Sequence, residues 1–409
     1  MGGPIALGLL AGYVAVALAG WLAAAIALVA ASPRLADRDP LAPLPLLATH
    51  LVALGLLPFA VTGASFHLLP VMLRNDARHP RRLQLALPLL GGGFLVAPGI
   101  AFDVPAVLWP GAVLVSAGLL LVLSELLGLV WRAPRGRTLV ASRVGVALVG
   151  LHVSAALLLG AVVFSHGDGP FAGVVHDRWL LVHLHLAVLG WLTLLIVTVG
   201  RALAPMLAQA PTPAPRSLPG SELALTGGLW TLLAGLATGS TAVALCGACL
   251  VLLTLALFAR SIFRVVRGRR MKLEAPLAHM VAGSFFLLQA TALGIAILTG
   301  AVSSRTGLTS YLILLLLGWA GGVVLGHLGK LLSLSLWVWW PPGPRPKQAV
   351  LYPRKVWLAE AAFFAAGVEL LAIGTLAGNL IITIAAGTIL LVAAGLAVTG
   401  AGLTWAARW

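Results

Sequence analysis

Histidine is the residue type whose number and placement in this sequence could support chemistry. The chain has ten histidines, and seven of them fall inside long apolar segments. An ionisable side chain within a membrane is costly, so it usually faces the interior of a helix bundle and has a partner or a function. One such histidine is commonly a hydrogen-bonding residue between helices, but seven are hard to explain in that way. The seven are His50, His67, His152, His183, His185, His279 and His327.

Three of these histidines lie near the starts of two predicted helices, His50 on one and His183 and His185 on the other. Neutral imidazoles from two facing helices can hold the iron of a haem from both sides, and the porphyrin accepts a lining of aliphatic side chains. His183 and His185 project about 200° apart around their helix, so we expect them to serve two different centres. Gly55 and Gly190 would let a macrocycle approach the backbone closely. The pattern predicts a haem, of the b type, between the two helices.

The other four histidines are predicted in the opposite, cytoplasmic half of the membrane. His67 follows His50 by 17 residues, which is roughly 25 Å along a helix that rises about 1.5 Å per residue. These four could hold a second haem or a metal such as copper, and an ordinary polar seam between helices explains them equally well. They are His67, His152, His279 and His327.

The segments that must position these side chains are predicted to be membrane-spanning helices. Hydrophobic residues make up 60% of the 409 residues and charged residues 9%, and the mean hydropathy is +1.06. A soluble domain has about 25% charged residues, and crossing a bilayer needs about 20 apolar residues, whose backbone groups pair internally as a helix. Twelve such segments predict an all-α, multi-pass membrane protein, with 221–262 the least certain pair. They are 5–32, 43–73, 83–103, 106–131, 138–165, 178–207, 221–240, 241–262, 275–302, 308–340, 355–376 and 379–407.

The positions of arginine and lysine predict the orientation of these helices. The basic residues cluster in alternate connections of a twelve-helix topology, which makes those connections cytoplasmic by the positive-inside rule. Both termini are then cytoplasmic, and the chain is expected in the inner (plasma) membrane of the cell. Anionic lipid explains the net charge of +15 better than nucleic acid does, because the clusters lie beside helix ends. The clusters are Arg74 to Arg82, Arg132 to Arg137, Arg260 to Lys272 and Arg345 to Lys355.

An internal repeat relates three of the predicted helices. The stretch HLVALGLLPFAVTGASFHLLPVML from His50 aligns without a gap on HLAVLGWLTLLIVTVGRALAPMLA from His185, at an offset of 135. A fainter copy, LLGWAGGVVLGHLGKLL, repeats an LGW at an offset of 128 and places Tyr311 opposite His183. Helices 2, 6 and 10 are then equivalents, and the chain divides into three four-helix units. The units cover about 1–131, 138–262 and 275–407, within one transmembrane domain over 1–409.

Other polar side chains inside the predicted spans carry weaker signals. Glu125, Glu360 and Glu369 are the acidic residues well inside the spans, and each is explained by a buried, protonated or paired carboxyl group. Cys246 and Cys249 form a CxxC motif with no second pair, which is typical of two small packing residues, although a redox or metal role stays open.

Two of these motifs resemble a known family. The run VHLHLAVLGWLTLLIVTVGRALAP is similar to the HxH helix of subunit I of the haem-copper oxidase and nitric oxide reductase superfamily. The run ATHLVALGLLPFAVTGASFHLLPVM is similar to the second helix of that subunit, and twelve helices in three arcs are its architecture. The resemblance implies that His50 and His185 are the axial ligands of a low-spin haem, and that His183 binds a second haem.

The sequence also departs from the pattern of that family. The HxH helix is the sixth predicted helix here, whereas it is the tenth in the family, and the sequence has neither HxxxY nor HH, so the copper site is not expected. We therefore expect a haem-binding membrane protein for electron transfer or for handling oxygen or nitric oxide, with an electron donor or a small gas as partner. Whether it is an enzyme, which would be an oxidoreductase, stays open. The alternative is a membrane transporter or chaperone for haem or for a metal such as copper.

Overall fold

The computed structural model describes residues 6–73, 75, 79–133, 143–163, 176–211 and 218–407. Every regular element in this part of the chain is helical, which confirms the predicted all-α class. Twelve helices follow one another in the order of the sequence. They are α1 (Leu7–Ala36), α2 (Pro43–Leu73), α3 (Pro80–Ala101), α4 (Pro105–Arg132), α5 (Arg143–Val163), α6 (Arg178–Ala208), α7 (Leu218–Thr238), α8 (Thr241–Arg267), α9 (Ala275–Leu298), α10 (Ser304–Val338), α11 (Arg354–Ala377) and α12 (Leu380–Ala406).

Within the described ranges, eleven of the twelve helices are long and apolar enough to cross a membrane, and α7 is the exception. This confirms a multi-pass membrane architecture. Tight packing against α8 holds α7 in the bundle. At Gly235 and Gly247 of this helix pair, an added side chain would collide with Ala244 and Leu232 of the partner helix. Small residues at such contacts let membrane helices approach closely, so packing positions the one helix that hydropathy marks least clearly.

Proline and asparagine define several helix ends. Helices α2, α3, α4 and α9 each carry a proline in the first turn, where the missing N–H removes no helical hydrogen bond. The turn between α11 and α12 needs Gly378, whose φ of +66° is in the left-handed region. The side-chain oxygen of Asn379 then accepts a hydrogen bond of 3.1 Å from the backbone N–H of Ile382 and caps α12.

Helices α2, α6 and α10 share an unusual feature, because each contains a π-helical segment within an otherwise α-helical span. The segments are Leu51–Leu56, Leu186–Thr193 and Ile313–Gly321. The offsets of 135 and 128 carry Leu51 to Leu186 and then to Leu314, so the three segments begin within one residue of equivalent positions. π-helical turns are rare and are frequently found at functional sites. Their matching positions agree with the repeat that relates these helices, whereas the boundaries of the three units stay a prediction.

The same three helices surround a cavity in the half of the bundle that holds their C-terminal ends. Helices α6 and α10 are its most deeply buried walls, since 72% and 83% of their apolar stretches are buried, against 28 to 56% in the other spans. The cavity is lined at matching levels by residues from all three helices, so α2, α6 and α10 face one common axis. Two such levels are Val61, Ile196 and Val324, and Ala64, Val199 and His327.

Two of the basic connections lie at the same end of the bundle. The backbone N–H of Ala275 donates to the hydroxyl of Tyr352 at 3.3 Å, and Nε of Arg354 donates to the carbonyl oxygen of Leu273 at 2.9 Å. The connection before α9 and the connection before α11 are therefore neighbours, as alternate loops on one side should be. Arg74, Arg78, Arg135 and Arg137 lie outside the described residues, and the cytoplasmic location of both termini stays a prediction.

Candidate functional site

Four histidines of the spans share one local arrangement, which determines the ring atom that each can offer to a ligand. In these four, Nδ1 lies within hydrogen-bond distance of the carbonyl oxygen four residues earlier. A carbonyl oxygen only accepts, so Nδ1 carries the proton, and in the neutral ring the lone pair is on Nε2. That lone pair is what binds iron or another metal, and the Nδ1 bond orients the ring. The four bonds are His50 to Leu46 at 2.9 Å, His152 to Leu148 at 2.6 Å, His185 to Leu181 at 2.7 Å and His327 to Val323 at 2.6 Å.

His183 is held by a neighbouring helix instead of by its own. Its Nδ1 donates to the carbonyl oxygen of Ala156 on α5 at 2.9 Å, which again leaves Nε2 as the lone-pair atom. The ring lies over Gly160, where an added Cβ would lie 2.9 Å from Cε1 of His183. His183 also lies close enough to His50 for the two side chains to interact electrostatically. The structure therefore places one histidine of α2 within electrostatic range of the first histidine of the HLH motif.

The second histidine of the motif points toward a different helix. His185 is buried, and its Nε2 accepts a hydrogen bond of 2.7 Å from the hydroxyl of Tyr311 on α10. A second hydrogen bond between α6 and α10 joins residues that are also 126 positions apart in the sequence. In this bond Nε1 of Trp319 donates to Oγ1 of Thr193 at 2.8 Å. These two bonds set the rotation of α6 about its axis. An iron at Nε2 of His185 would first have to displace the tyrosine hydroxyl.

The glycines expected beside a macrocycle are packed against protein. An added Cβ at Gly55 would lie 3.2 Å from the ring of Phe94 and 3.5 Å from Cα of Gly20 on α1. At Gly190, it would lie 2.7 Å from Cγ of His152. Both glycines thus serve close helix contacts. The histidine nitrogens of this region can serve as haem ligands. The helix faces at Gly55 and Gly190, however, pack against neighbouring residues and do not provide the space for the macrocycle.

The four histidines predicted to form a second site have different contacts. His67 lies 3.0 Å from the hydroxyl of Ser335 on α10, whereas His152 packs 5.8 Å, centroid to centroid, from the ring of Trp230. His279 lies 2.9 Å from Glu360 on α11, and both side chains are buried. Among the described residues, no three His, Cys, Asp or Glu side chains come together in a way that could hold a metal ion. His67, His152 and His279 thus make separate contacts with different helices, whereas Nδ1 of His327 bonds within its own helix.

The acidic residues expected inside the spans all have partners. Glu125 accepts hydrogen bonds from the backbone N–H of His79 at 3.1 Å and from Arg82 at 3.3 Å, and Glu369 accepts from Gln289 at 3.2 Å. Glu222, which was not among the acidic residues predicted inside the spans, is buried on α7 and interacts electrostatically with Arg201 of α6. The signal that could have revealed it was an arginine in the middle of an apolar stretch.

The two cysteines differ from their expected packing role. Both Cys246 and Cys249 are free, and both are exposed on the surface of α8. The small residues between and beside them, such as Gly247, make the contact with α7. The rotation of α8 therefore directs glycine into the bundle and the thiols away from it.

No model of a known protein family and no curated protein matches this chain. The resemblance to oxidase subunit I therefore rests on the sequence motifs of α2 and α6. These motifs place His50, His183 and His185 near the N-terminal ends of the two helices.

Proposed function

We propose that this chain is a haem-binding membrane protein whose haem lies between α2 and α6 near their N-terminal ends. Its role is electron transfer or the handling of oxygen or nitric oxide. The observation that carries the proposal is that His50 and His183, on two helices, lie within electrostatic range of each other and that each has Nδ1 anchored to a carbonyl oxygen. Two oriented, neutral imidazoles with lone pairs on Nε2 are the donors that a haem iron takes.

The residues of the site have separate roles in this proposal. His50 supplies the ligand from α2, and the HLH motif supplies the ligand from α6. The resemblance favours His185 as that ligand, whereas its bond to Tyr311 and the proximity of His183 to His50 favour His183. A haem held by two imidazoles would supply one-electron chemistry, whereas a gas could bind only to an iron that has a single imidazole ligand. The chain orients the imidazoles and surrounds them with apolar side chains that exclude water.

The donor set also bears on the alternative, a transporter or chaperone for a bare metal ion. Zinc and copper sites in proteins generally use three or four side-chain ligands, but a haem needs only one or two. In the part of the chain that the structure describes, ligating side chains do not occur in groups of three. The experiment below separates the two.

The test is a pyridine haemochrome assay with metal analysis on protein purified from cells supplied with a haem precursor. We expect a low-spin b-type spectrum from the wild type. His50→Ala should lose most of the haem, roughly tenfold, and either His183→Ala or His185→Ala should do the same, which identifies the ligand from α6. His79→Ala is the matched control, because this histidine contributes only its backbone N–H to Glu125.

Size-exclusion profiles and helix content should be unchanged in variants that have lost haem, so that lost ligation is distinguished from misfolding. A colourless wild-type protein would overturn the proposal, as would full haem retention in His50→Ala. A colourless protein that copper stabilises, with that effect removed by the same substitutions, would instead establish the metal-transport alternative.

A further inference from the structure

An open groove lies between α4 and α5 on the surface of the bundle. It has a volume of about 620 Å³, and its lining is apolar except for Ser154. Gly150 is buried at its base, where an added Cβ would lie 3.1 Å from Cδ2 of Leu123. Two residues of the wall, Leu151 and Trp131, are 52% and 61% exposed. Because both helices are long and apolar enough to cross a membrane, the groove opens toward lipid.

Two arginine side chains lie at one end of this groove. Arg143, the first residue of α5, has its guanidinium carbon 5.8 Å from the ring centroid of Trp131, which lines the groove. Arg132, the last residue of α4, donates from Nε to the carbonyl oxygen of Gly128 at 2.9 Å, and Gly128 also lines the groove. The end of the groove where α4 ends and α5 begins is therefore positively charged.

The guanidinium of Arg143 can bind an anion in addition to its contacts within the protein. Its Nη2 donates to the carbonyl oxygen of Ala133 at 3.0 Å, whereas a guanidinium has five N–H donors. None of the ion pairs among the described residues includes Arg143. A phosphate group accepts two parallel hydrogen bonds from a guanidinium. The charged end of the groove is therefore complementary to a phosphate group.

The length and position of the groove match one lipid chain. From Arg143 to Ser154, at the other end of the lining, the chain advances eleven residues, or roughly 16 Å at about 1.5 Å per residue. This is about half of the hydrocarbon core, which is roughly 30 Å thick, and it is the depth of one leaflet. Tryptophan is enriched at the membrane interface, so Trp131 places the charged end at the level of the headgroups. A helix of a partner protein would cross the whole core.

We propose that this groove binds one anionic phospholipid. Its phosphate accepts hydrogen bonds from Arg143 next to the charge of Arg132, and one acyl chain lies in the groove against Leu127 and Leu151. Arg132 begins a connection that the positive-inside rule makes cytoplasmic, and the cytoplasmic leaflet is the one that carries anionic lipids. The site is independent of haem, because none of the histidines lines the groove.

The test is native mass spectrometry of the full chain, purified in detergent and stripped of lipid. Dioleoyl phosphatidylglycerol and dioleoyl phosphatidylcholine are added in equal amounts, because they share acyl chains and differ in net charge. We expect the first phosphatidylglycerol to bind at least about fivefold more tightly than phosphatidylcholine, since each arginine near anionic lipid contributes about 1 kcal/mol. Arg143→Gln should weaken the binding of phosphatidylglycerol about fivefold and leave that of phosphatidylcholine unchanged. Arg269→Gln is the matched control, because Arg269 is an exposed arginine of another basic connection and is not part of the groove; it should bind both lipids as the wild type does.

A second set of variants tests the apolar part of the site. Ala147 and Ser154 are exposed residues of the lining, so Ala147→Phe or Ser154→Phe should fill the groove and weaken the binding of both lipids about fivefold or more. Either one suffices if the other does not fold, as judged by its size-exclusion profile. Leu158→Phe is the matched control, because Leu158 is 71% exposed on the same helix and does not line the groove.

The occupant is identified by photo-crosslinking. With p-benzoylphenylalanine in place of Leu151, we expect an adduct with phosphatidylglycerol. An adduct with a second copy of the chain would instead identify the groove as a helix interface and would overturn the proposal. Equal binding of the two lipids by the wild type, or a preference that survives Arg143→Gln, would also overturn it. Unchanged lipid binding in both groove-filling variants would show that the headgroup alone is recognised, which contradicts a site for the acyl chain.

Discussion

The hydroxyl of Tyr311 donates a hydrogen bond of 2.7 Å to Nε2 of His185, which joins α10 to α6 inside the bundle. The imidazole is oriented by its second bond, from Nδ1 to the carbonyl oxygen of Leu181. Because His183 lies two positions earlier and on the other side of α6, this contact also determines which face of the helix is directed toward His50. Tyr311 is thus a positioning residue for the proposed site.

The first prediction concerns this bond. Tyr311→Phe removes the donor and leaves Nε2 of His185 without its partner, so we expect the free energy of unfolding in detergent to fall by about 1 kcal/mol. A double-mutant cycle with His185→Leu should show a coupling energy of similar size. The control cycle pairs Tyr311→Phe with Thr193→Val, which loses the separate bond to Trp319, and should show almost no coupling. Equal coupling in both cycles would contradict a direct interaction.

The second prediction concerns His279 and Glu360, whose side chains are both buried and lie 2.9 Å apart. Removing one member leaves the other without a partner in the bundle, so His279→Leu and Glu360→Leu should each destabilise the protein by about 3–5 kcal/mol. The double variant should be more stable than either single variant, because neither polar group is then left unpaired. Thermal unfolding monitored by circular dichroism measures this order. A double variant as unstable as the sum of the two singles would refute it.

The third prediction concerns the contact between α5 and α6. In Gly190→Ala the new Cβ would lie 2.7 Å from Cγ of His152, and the buried ring has little room to move. Overpacking of this kind costs about 1–3 kcal/mol, which should appear as a lower midpoint of thermal unfolding. Gly395→Ala in α12 is the matched control, since nothing lies within 4 Å of its added Cβ, and its midpoint should stay at the wild-type value or rise. A wild-type midpoint in Gly190→Ala would show that the helices separate freely.

The fourth prediction concerns orientation. Single cysteines are introduced in a variant that lacks Cys246 and Cys249, one as Arg269→Cys before α9 and one as Ser304→Cys at the start of α10. These two positions are at opposite ends of α9 and are exposed. A membrane-impermeant maleimide should label Ser304→Cys in intact spheroplasts and Arg269→Cys only after lysis, because the positive-inside rule makes the basic connection cytoplasmic. The reverse pattern would invert the predicted topology.

Much of the fold could be predicted from composition and hydropathy. The length of an apolar segment is set by the thickness of the bilayer, which is a local requirement that each helix meets alone. The spans around His50 and His185 were therefore predicted closely, whereas the π-helical segments of α2 and α6, whose first residues are 135 positions apart, were not predicted. Helix α7 had the weakest signal for the same reason, since its contacts with α8 hold it in place.

The partners of individual side chains could not be predicted in that way. The sequence indicated that His183 and His185 face opposite sides of one helix, but it contained no information on the absolute rotation of α6. That rotation results from bonds to α10 and from the close packing of His152 on Gly190. The repeat makes Tyr311 the equivalent of His183 in the sequence, whereas the hydrogen-bond partner of Tyr311 is His185. Equivalent positions of the repeat face a common axis, but they do not have to contact one another.

The sequence by itself determined the solvent of this protein, the helical class, the number of helices and the set of histidines that could act as ligands. These depend on the cost of burying polar groups in hydrocarbon, which each segment experiences separately. Only the tertiary structure decided which histidine interacts electrostatically with His50, which glycines pack against neighbouring helices, and that Nε2 of His327 is buried without a hydrogen-bond partner among the described residues. Those features depend on the rotation and distance of helices far apart in the chain, which the simultaneous packing of the whole bundle sets.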